Sequence, residues 1–201
     1  MIIGPPRVGK SSLIRRFVFN SFSFEYVPTL EDYYKKSEYI DSVPYELHIL
    51  DTSGAEDFDS LIGEWITDKD GVILAYSIEN QENFKSLQKW INEIRSVNIK
   101  NPKTLFLVAN KTDLKNRKVT EQEGRELAEK IGAFYFELSA KNDKEVHGMF
   151  GELVRVIMEK RKEQILAEKS QIARKINKMD PEKDLNSEND TPLTFSKCNL
   201  I

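Results

Sequence analysis

The sequence holds a single cysteine in 201 residues, Cys198, so no disulfide can form within it, and a reducing compartment is expected. It also lacks any apolar run near the ~18 residues of a membrane-crossing helix, and no signal-peptide pattern opens at Met1. Neither sign of charge dominates. The 30 Lys+Arg and 33 Asp+Glu leave a net charge of −3, which argues against a general nucleic-acid binder. No internal repeat is visible. What is there, 39% hydrophobic and 31% charged residues, suits one domain of ordinary size with a tail, because a single core usually serves ~100–200 residues.

The stretch Gly4-Pro5-Pro6-Arg7-Val8-Gly9-Lys10-Ser11 runs glycine, four residues, glycine, lysine, serine. That is the spacing of a phosphate-binding P-loop, in which backbone N–H groups form a nest for phosphate oxygens. The lysine adds a mobile positive charge and the serine a hard oxygen suited to Mg²⁺. Ser12 to Phe17 reads as a helix whose N-terminal end also favours anions. Met1-Ile2-Ile3 looks like the last part of a buried strand entering the loop.

Glu38–Ile40 and Tyr45–Leu50 read as antiparallel strands turned around Asp41-Ser42-Val43-Pro44. Gly71–Ile78 and Thr104–Ala109 are short apolar runs typical of strands buried on both faces. Between them Phe84, Leu87, Ile91 and Ile94 recur at helical spacing. Glu121–Ile131 is a second helix, opened by a capping box at Thr120 to Glu123. Ala133–Leu138 reads as a strand. A last helix from Asp143 carries Val146, Met149, Phe150, Leu153, Val154 and Ile157 on one face. This alternation predicts an α/β domain, three layers deep, with a mostly parallel sheet and ligands bound beyond the carboxyl ends of the strands.

Four further segments fall at strand ends. Asp51-Thr52-Ser53-Gly54 follows Leu50; an aspartate there can hold Mg²⁺ through water, and the glycine can bring its N–H against a γ-phosphate. Asn110-Lys111-Thr112-Asp113 follows Ala109, and its carboxylate suits the paired N1–H and 2-amino donors of guanine, which adenine lacks. Ser139-Ala140-Lys141 follows the next strand and can close over the base. Thr29, in the loop after the first helix, can offer a second hydroxyl to Mg²⁺.

With these segments in this order, Ile3 to Ile157 resembles the Ras superfamily of small GTPases, and the loop Tyr26 to Tyr34 (YVPTLEDYY) is similar to the effector segment of its Ras subfamily. The resemblance implies a P-loop NTPase domain over residues 1–158 that binds GTP and GDP with Mg²⁺, hydrolyses GTP and works as a monomeric signalling switch. The phosphates would rest on the backbone from Arg7 through Val8, Gly9, Lys10, Ser11 and Ser12. Lys10, Thr29 and Gly54 would act at the transferring phosphate. Ser11 and Thr29 would ligate Mg²⁺, with Asp51 behind them. Phe22 would pack edge-on against the base, Asn110, Lys111 and Asp113 would read or cover it, and Ser139, Ala140 and Lys141 would flank it. Tyr26 would close over the phosphates. Effector proteins would meet Tyr26–Tyr34 and Gly54–Trp65, and an exchange factor and an activating protein would regulate the cycle. Taken singly, Phe22 also reads as core, Lys111 and Lys141 as surface charges, and Asp113 as a helix start.

Three departures qualify the expectation. Where the family places a water-orienting glutamine stands Ala55, whose methyl group can neither donate nor accept a hydrogen bond, so hydrolysis should be slow. The alternative is a hydrolysis-deficient, GTP-bound docking module. Pro6 and Arg7 stand where the family has or often has glycine. Pro6 would crowd the space of the attacking water and of an activator's arginine, while Arg7 reads as solvated more readily than as leaning over the phosphates. Finally, the family carries several residues of a central strand before the loop, against Met1 to Ile3 here. A first strand cut short, with unpaired neighbours and a weakened core, is therefore expected.

After Met158 the composition turns polar. Seven basic residues face three acidic ones between Glu159 and Lys178, and five acidic face one basic between Asp180 and Asp190. Residues 159–201 are expected to form a solvated helix fraying into a tail near Pro181, although Ile165, Leu166, Ile172, Ile176 and Met179 could sustain a longer amphipathic helix. Cys198-Asn199-Leu200-Ile201 fits a C-a-a-X prenylation pattern, with Asn199 a polar occupant of an aliphatic slot. Together with the Ras-like body, this implies prenylation of Cys198 and residence at the cytoplasmic face of a membrane, the plasma membrane first.

Overall fold

The computed structural model describes residues 1–54, 62–96 and 104–176. In chain order the elements are β1 (Ile2–Ile3), α1 (Lys10–Phe19), β2 (Glu31–Ile40), β3 (Val43–Thr52), α2 (Ile62–Thr67), β4 (Gly71–Ser77), α3 (Gln81–Ser96), β5 (Thr104–Asn110), α4 (Glu121–Ile131), β6 (Phe134–Glu137) and α5 (Asp143–Ile176). The six strands form one sheet in the order β2-β3-β1-β4-β5-β6. Among the described strands only the β2–β3 pair is antiparallel.

The apolar runs at β4 and β5 are buried at every position because each feeds two layers. Val72, Leu74 and Tyr76 of β4, with Leu105, Leu107 and Ala109 of β5, point to a core shared with Ile62, Trp65 and Ile66 of α2 and Leu87, Trp90 and Ile91 of α3. Their neighbours Ile73, Ala75, Phe106 and Val108 point the other way, onto Leu13, Ile14 and Phe17 of α1 and Val146, Met149, Phe150 and Leu153 of α5. This is the three-layer α/β/α arrangement with a mostly parallel sheet that the alternation of elements predicts. Within it β1 is two residues long, lying between β3 and β4 with Ile2 opposite Asp51 and Ile73.

Three local readings need correction or extension. The hairpin turns on Asp41 and Ser42 alone, with φ of 52° and 65°, and Val43 and Pro44 pair with Ile40 and Tyr39 as the first residues of β3. Two positive φ angles in a two-residue loop match the twist of a hairpin, and aspartate tolerates that region better than most residues. Second, α2 is too short, at six residues, to show a helical period, yet it buries Ile62, Trp65 and Ile66. Third, α5 runs on past Met158 to Ile176 as one helix. The chain divides into a unit from Met1 to Lys160 and one beginning at Arg161. In the second, Ile165, Leu166 and Ile172 are exposed. Ala55, Cys198 and most of the expected contact segment Gly54–Trp65 lie outside the described residues.

Candidate functional site

The loops at the carboxyl ends of β1, β3, β5 and β6 surround one cleft of about 830 Å³, within the range of ordinary ligand sites, ~300–1,000 Å³. Of the residues expected at a nucleotide, Arg7, Gly9, Lys10, Ser11, Ser12, Phe22, Tyr26, Thr29, Gly54, Asn110, Lys111, Asp113, Ser139, Ala140 and Lys141 all line it. Asp51 and Val8 do not. Asp51 is buried at the carboxyl end of β3, and the Val8 side chain sits in the core beside α1. Any contribution of Val8 must come from its main chain.

At the end of the cleft formed by the Gly4–Ser11 loop, Gly4 has φ 139°, and a Cβ there would stand 2.2 Å from the Ala75 carbonyl oxygen, so only glycine lets the chain leave β1 across β4. Gly9 then caps α1 with φ 97° and no side chain to satisfy the N–H groups of the first helical turn. Uncapped donors at a helix N-terminus that opens on a cleft are a ready anion site. Lys10 is buried and donates to the carbonyls of Gly4 and Pro5 at 2.9 and 3.1 Å. Burial pushes its pKa down to about 8, against the pull of Asp51. Gly54 presses on the same loop: a Cβ there would lie 2.5 Å from the Pro6 nitrogen and 2.7 Å from Lys10 Nζ.

Asp51 is in an unusual electrostatic position. It is fully buried and neither carboxylate oxygen has a hydrogen-bond partner. Burial pushes its pKa up to about 6, opposed by the nearby Ser11 hydroxyl and Lys10 and reinforced by Asp32. The Ser11 and Thr29 hydroxyls meet at 2.9 Å. One orphaned carboxylate and two hydroxyls form an all-oxygen donor set for a hard divalent cation completed by ligand oxygens, the usual way Mg²⁺ is held. Among the described residues no group of three His, Cys, Asp or Glu side chains could hold a metal by itself.

At the other end Asn110 fastens three loops together. Its side-chain amide donates to Val8 O at 2.8 Å, and its carbonyl accepts from the Lys111 and Ala140 N–H groups at 2.8 and 3.0 Å. Asp113 accepts from the Ser139 hydroxyl at 2.6 Å and pairs with Lys141 Nζ at 2.7 Å. Burial raises its pKa, but the bonds from Lys141 and Ser139 outweigh that and hold the carboxyl below its ordinary value. Lys111 pairs with Glu79 at 2.6 Å. Phe22 meets Phe24 edge to face at 5.1 Å, and Lys141 Nζ lies 4.9 Å from the Phe24 ring centre. Arg7 is exposed, and its guanidinium lies over the Tyr26 ring at 5.1 Å.

Sequence reasoning missed several supporting residues. Arg16 donates from Nε to Ala140 O at 3.0 Å, and Glu145 accepts from Ser139 N–H at 3.1 Å, so the Ser139–Lys141 loop is held from below on both sides. The spacing Asn142 to Glu145, that of a capping box at the start of α5, was an available signal for the second. Nothing local marks Arg16, whose partner is 124 residues away.

Residues 1–159 match the model of the Ras family. The chain is 37% identical over 163 residues to the Ras-like protein rasW of Dictyostelium discoideum, covering 81% of this chain and 74% of that one. Two further Dictyostelium discoideum proteins align over 84% of this chain: Ras-like protein rasZ, 36% identical over 169 residues and 78% of its own length, and Ras-like protein rasV, 35% identical over 170 residues and 73% of its length. With family matches over most of its length and a cleft floored by a P-loop, the chain belongs to the Ras family of GTP-binding switches.

Proposed function

We propose that the cleft takes GTP and GDP together with Mg²⁺, that GTP is hydrolysed slowly, and that the nucleotide decides whether Tyr26–Tyr34 and Gly54–Trp65 present an effector surface. The observation that carries this reading is Asp51, a buried carboxylate without a hydrogen-bond partner beside two hydroxyls and a buried lysine. Ser11, Thr29 and Asp51 would hold the metal ion, which when bound neutralises negative charge on the phosphate oxygens. Lys10 exchanges its loop carbonyls for phosphate oxygens, and the uncapped N–H groups of α1 complete the cradle. Asp113 can keep its bonds to Ser139 and Lys141 and still accept from guanine, because a carboxylate offers about four lone-pair sites.

Hydrolysis adds water to the γ-phosphorus and breaks its bond to the β-phosphate oxygen, leaving GDP and phosphate. Ala55 has no group to orient that water. Pro6 lines the cleft next to Gly54 and lacks an N–H. Charge stabilisation by Lys10 and the loop amides remains, so turnover is slow and not absent. Competition titration tests the ligand: GTP and GDP displace a fluorescent guanine nucleotide in the presence of Mg²⁺ and ATP does so far more weakly, while equal displacement by ATP overturns the reading. Single-turnover hydrolysis separates the slow switch from the second reading, a GTP-bound docking module, which Ala55 and Pro6 favour and which predicts no measurable product.

Cys198, in the C-terminal Cys-Asn-Leu-Ile, supports prenylation and residence at the cytoplasmic face of the plasma membrane. One lipid chain anchors only marginally, so the basic residues between Lys160 and Lys178, or a partner, would supply the second attachment. An unchanged mass after incubation with prenyltransferase and prenyl donor would remove the lipid from the proposal.

A further inference from the structure

We propose that Arg7 and Tyr26 form a latch across the mouth of the cleft, a contact of the protein with itself that slows nucleotide escape. The inference rests on the nucleotide reading above and adds a positioning role that the phosphate loop does not otherwise require. Arg7 and Tyr26 line the cleft from opposite rims, one from the loop after β1 and the other from the segment after α1. The guanidinium lies 5.1 Å from the centre of the Tyr26 ring, inside the distance at which a cation is held by an aromatic face.

Two features make this contact more than a chance of two exposed side chains. Arg7 has φ 64°, a left-handed conformation that a non-glycine residue adopts at a cost, and strain of this kind collects at clamps and switches. Pro6 directly before it fixes the preceding backbone, an order of residues seen in type II turns, with proline second and a positive φ third. The arginine is therefore presented from a stiff turn. Its target is otherwise weakly held: Glu25, Tyr26, Val27 and Pro28 are all exposed, so little apolar burial fixes this stretch. The far end of the same stretch is tied twice, by the Ser11–Thr29 hydroxyl contact at 2.9 Å and by the bond from Ser53 N–H to Leu30 O at 2.9 Å. Arg7 supplies the tie in the middle, where the segment crosses the opening.

The test is the rate at which the full-length protein, loaded with a fluorescent GDP in Mg²⁺, releases it into excess unlabelled GDP. Arg7→Ala and Tyr26→Leu each speed release roughly two- to fivefold, the size expected of one exposed cation–π contact. Tyr26→Phe keeps the ring face and stays slow. Arg7→Gln, which keeps length without charge, releases as fast as Arg7→Ala. The Arg7→Ala/Tyr26→Leu double variant is no faster than the faster single one, because both remove the same contact. Unchanged release by Arg7→Ala, slow release by Arg7→Gln, or multiplying effects in the double variant overturns the latch. Failure of the unaltered protein to load GDP overturns the nucleotide reading itself and is distinguished by the loading step, before any variant is compared.

Discussion

Asp51 shows how a single buried charge can register what belongs beside it. Its pKa in the fold, about 6, lies above the ordinary value of 3.8, so the folded state favours the protonated form. Without a cation its contribution to stability is therefore lost as pH rises through this window, by about 3 kcal/mol if the whole shift is counted. A divalent ion favours the ionised form and reverses that loss. The increase in thermal midpoint caused by Mg²⁺ and GDP, relative to GDP with a chelator, should be large at pH 7.5 and shrink as pH falls through about 6. Asp51→Asn should abolish most of the increase at every pH, which a thermal scan reads directly. That Asp51, Lys10 and Asp113 are candidates for one site was legible in the sequence, because each sits in a short pattern next to a strand end. The burial that perturbs Asp51 and Lys10, and the bonds from Ser139 and Lys141 that lower the pKa of Asp113, were not, since they depend on elements brought in from elsewhere in the chain. Phe24 is the converse: its place against Phe22 and Lys141 has no pattern to announce it.

Among the elements, α4 illustrates how packing overrides propensity. Gly124 lies in the helix interior, where alanine is ordinarily better by ~1 kcal/mol. Here a Cβ would stand 2.3 Å from the Tyr135 hydroxyl and 2.5 Å from that of Tyr76. These two hydroxyls are bonded to each other at 3.1 Å, and Tyr135 donates onward to Glu137 at 2.7 Å. Glu137 is in turn gripped by both terminal nitrogens of Arg117 at 2.8 Å. Overpacking costs typically about 1–3 kcal/mol, so Gly124→Ala should destabilise the protein on balance, lowering its urea midpoint where propensity alone would raise it. The start of α4 was readable from Thr120 and Glu123, whose capping geometry is local. The turn at Asp41-Ser42 was harder to place because neither residue is glycine, and α2 because one and a half turns of helix hold no period.

For the molecule as a whole, the two buried faces of one sheet account for the architecture, and every residue in either cluster lies before Arg161. Removing residues 161–201 should leave the thermal midpoint within about 3 °C of the intact chain, since a shift of that size corresponds to roughly 1 kcal/mol in a domain this large. A larger drop would show that the second unit contributes to the stability of the first. The change in composition after Met158, with Ile165, Leu166, Ile172 and Ile176 scattered through it, suggested a tail that begins as helix, but without a strong period these residues could not say how far α5 runs.

Asn110 joins the Gly4–Ser11 loop to the loops at Lys111 and Ala140 with one amide, the first proposed to hold the phosphates and the other two the base. The two halves of a nucleotide would then not be recognised independently. A guanosine monophosphate, ordering the loops around the base, prepares the phosphate loop through that amide, and pyrophosphate with Mg²⁺ should bind more tightly when the monophosphate is present. By reciprocity the monophosphate gains by the same factor. Asn110→Ala should erase that mutual gain and not merely weaken each ligand, so the intact nucleotide behaves as a chelate whose linkage runs through the protein as well as through its own covalent bonds.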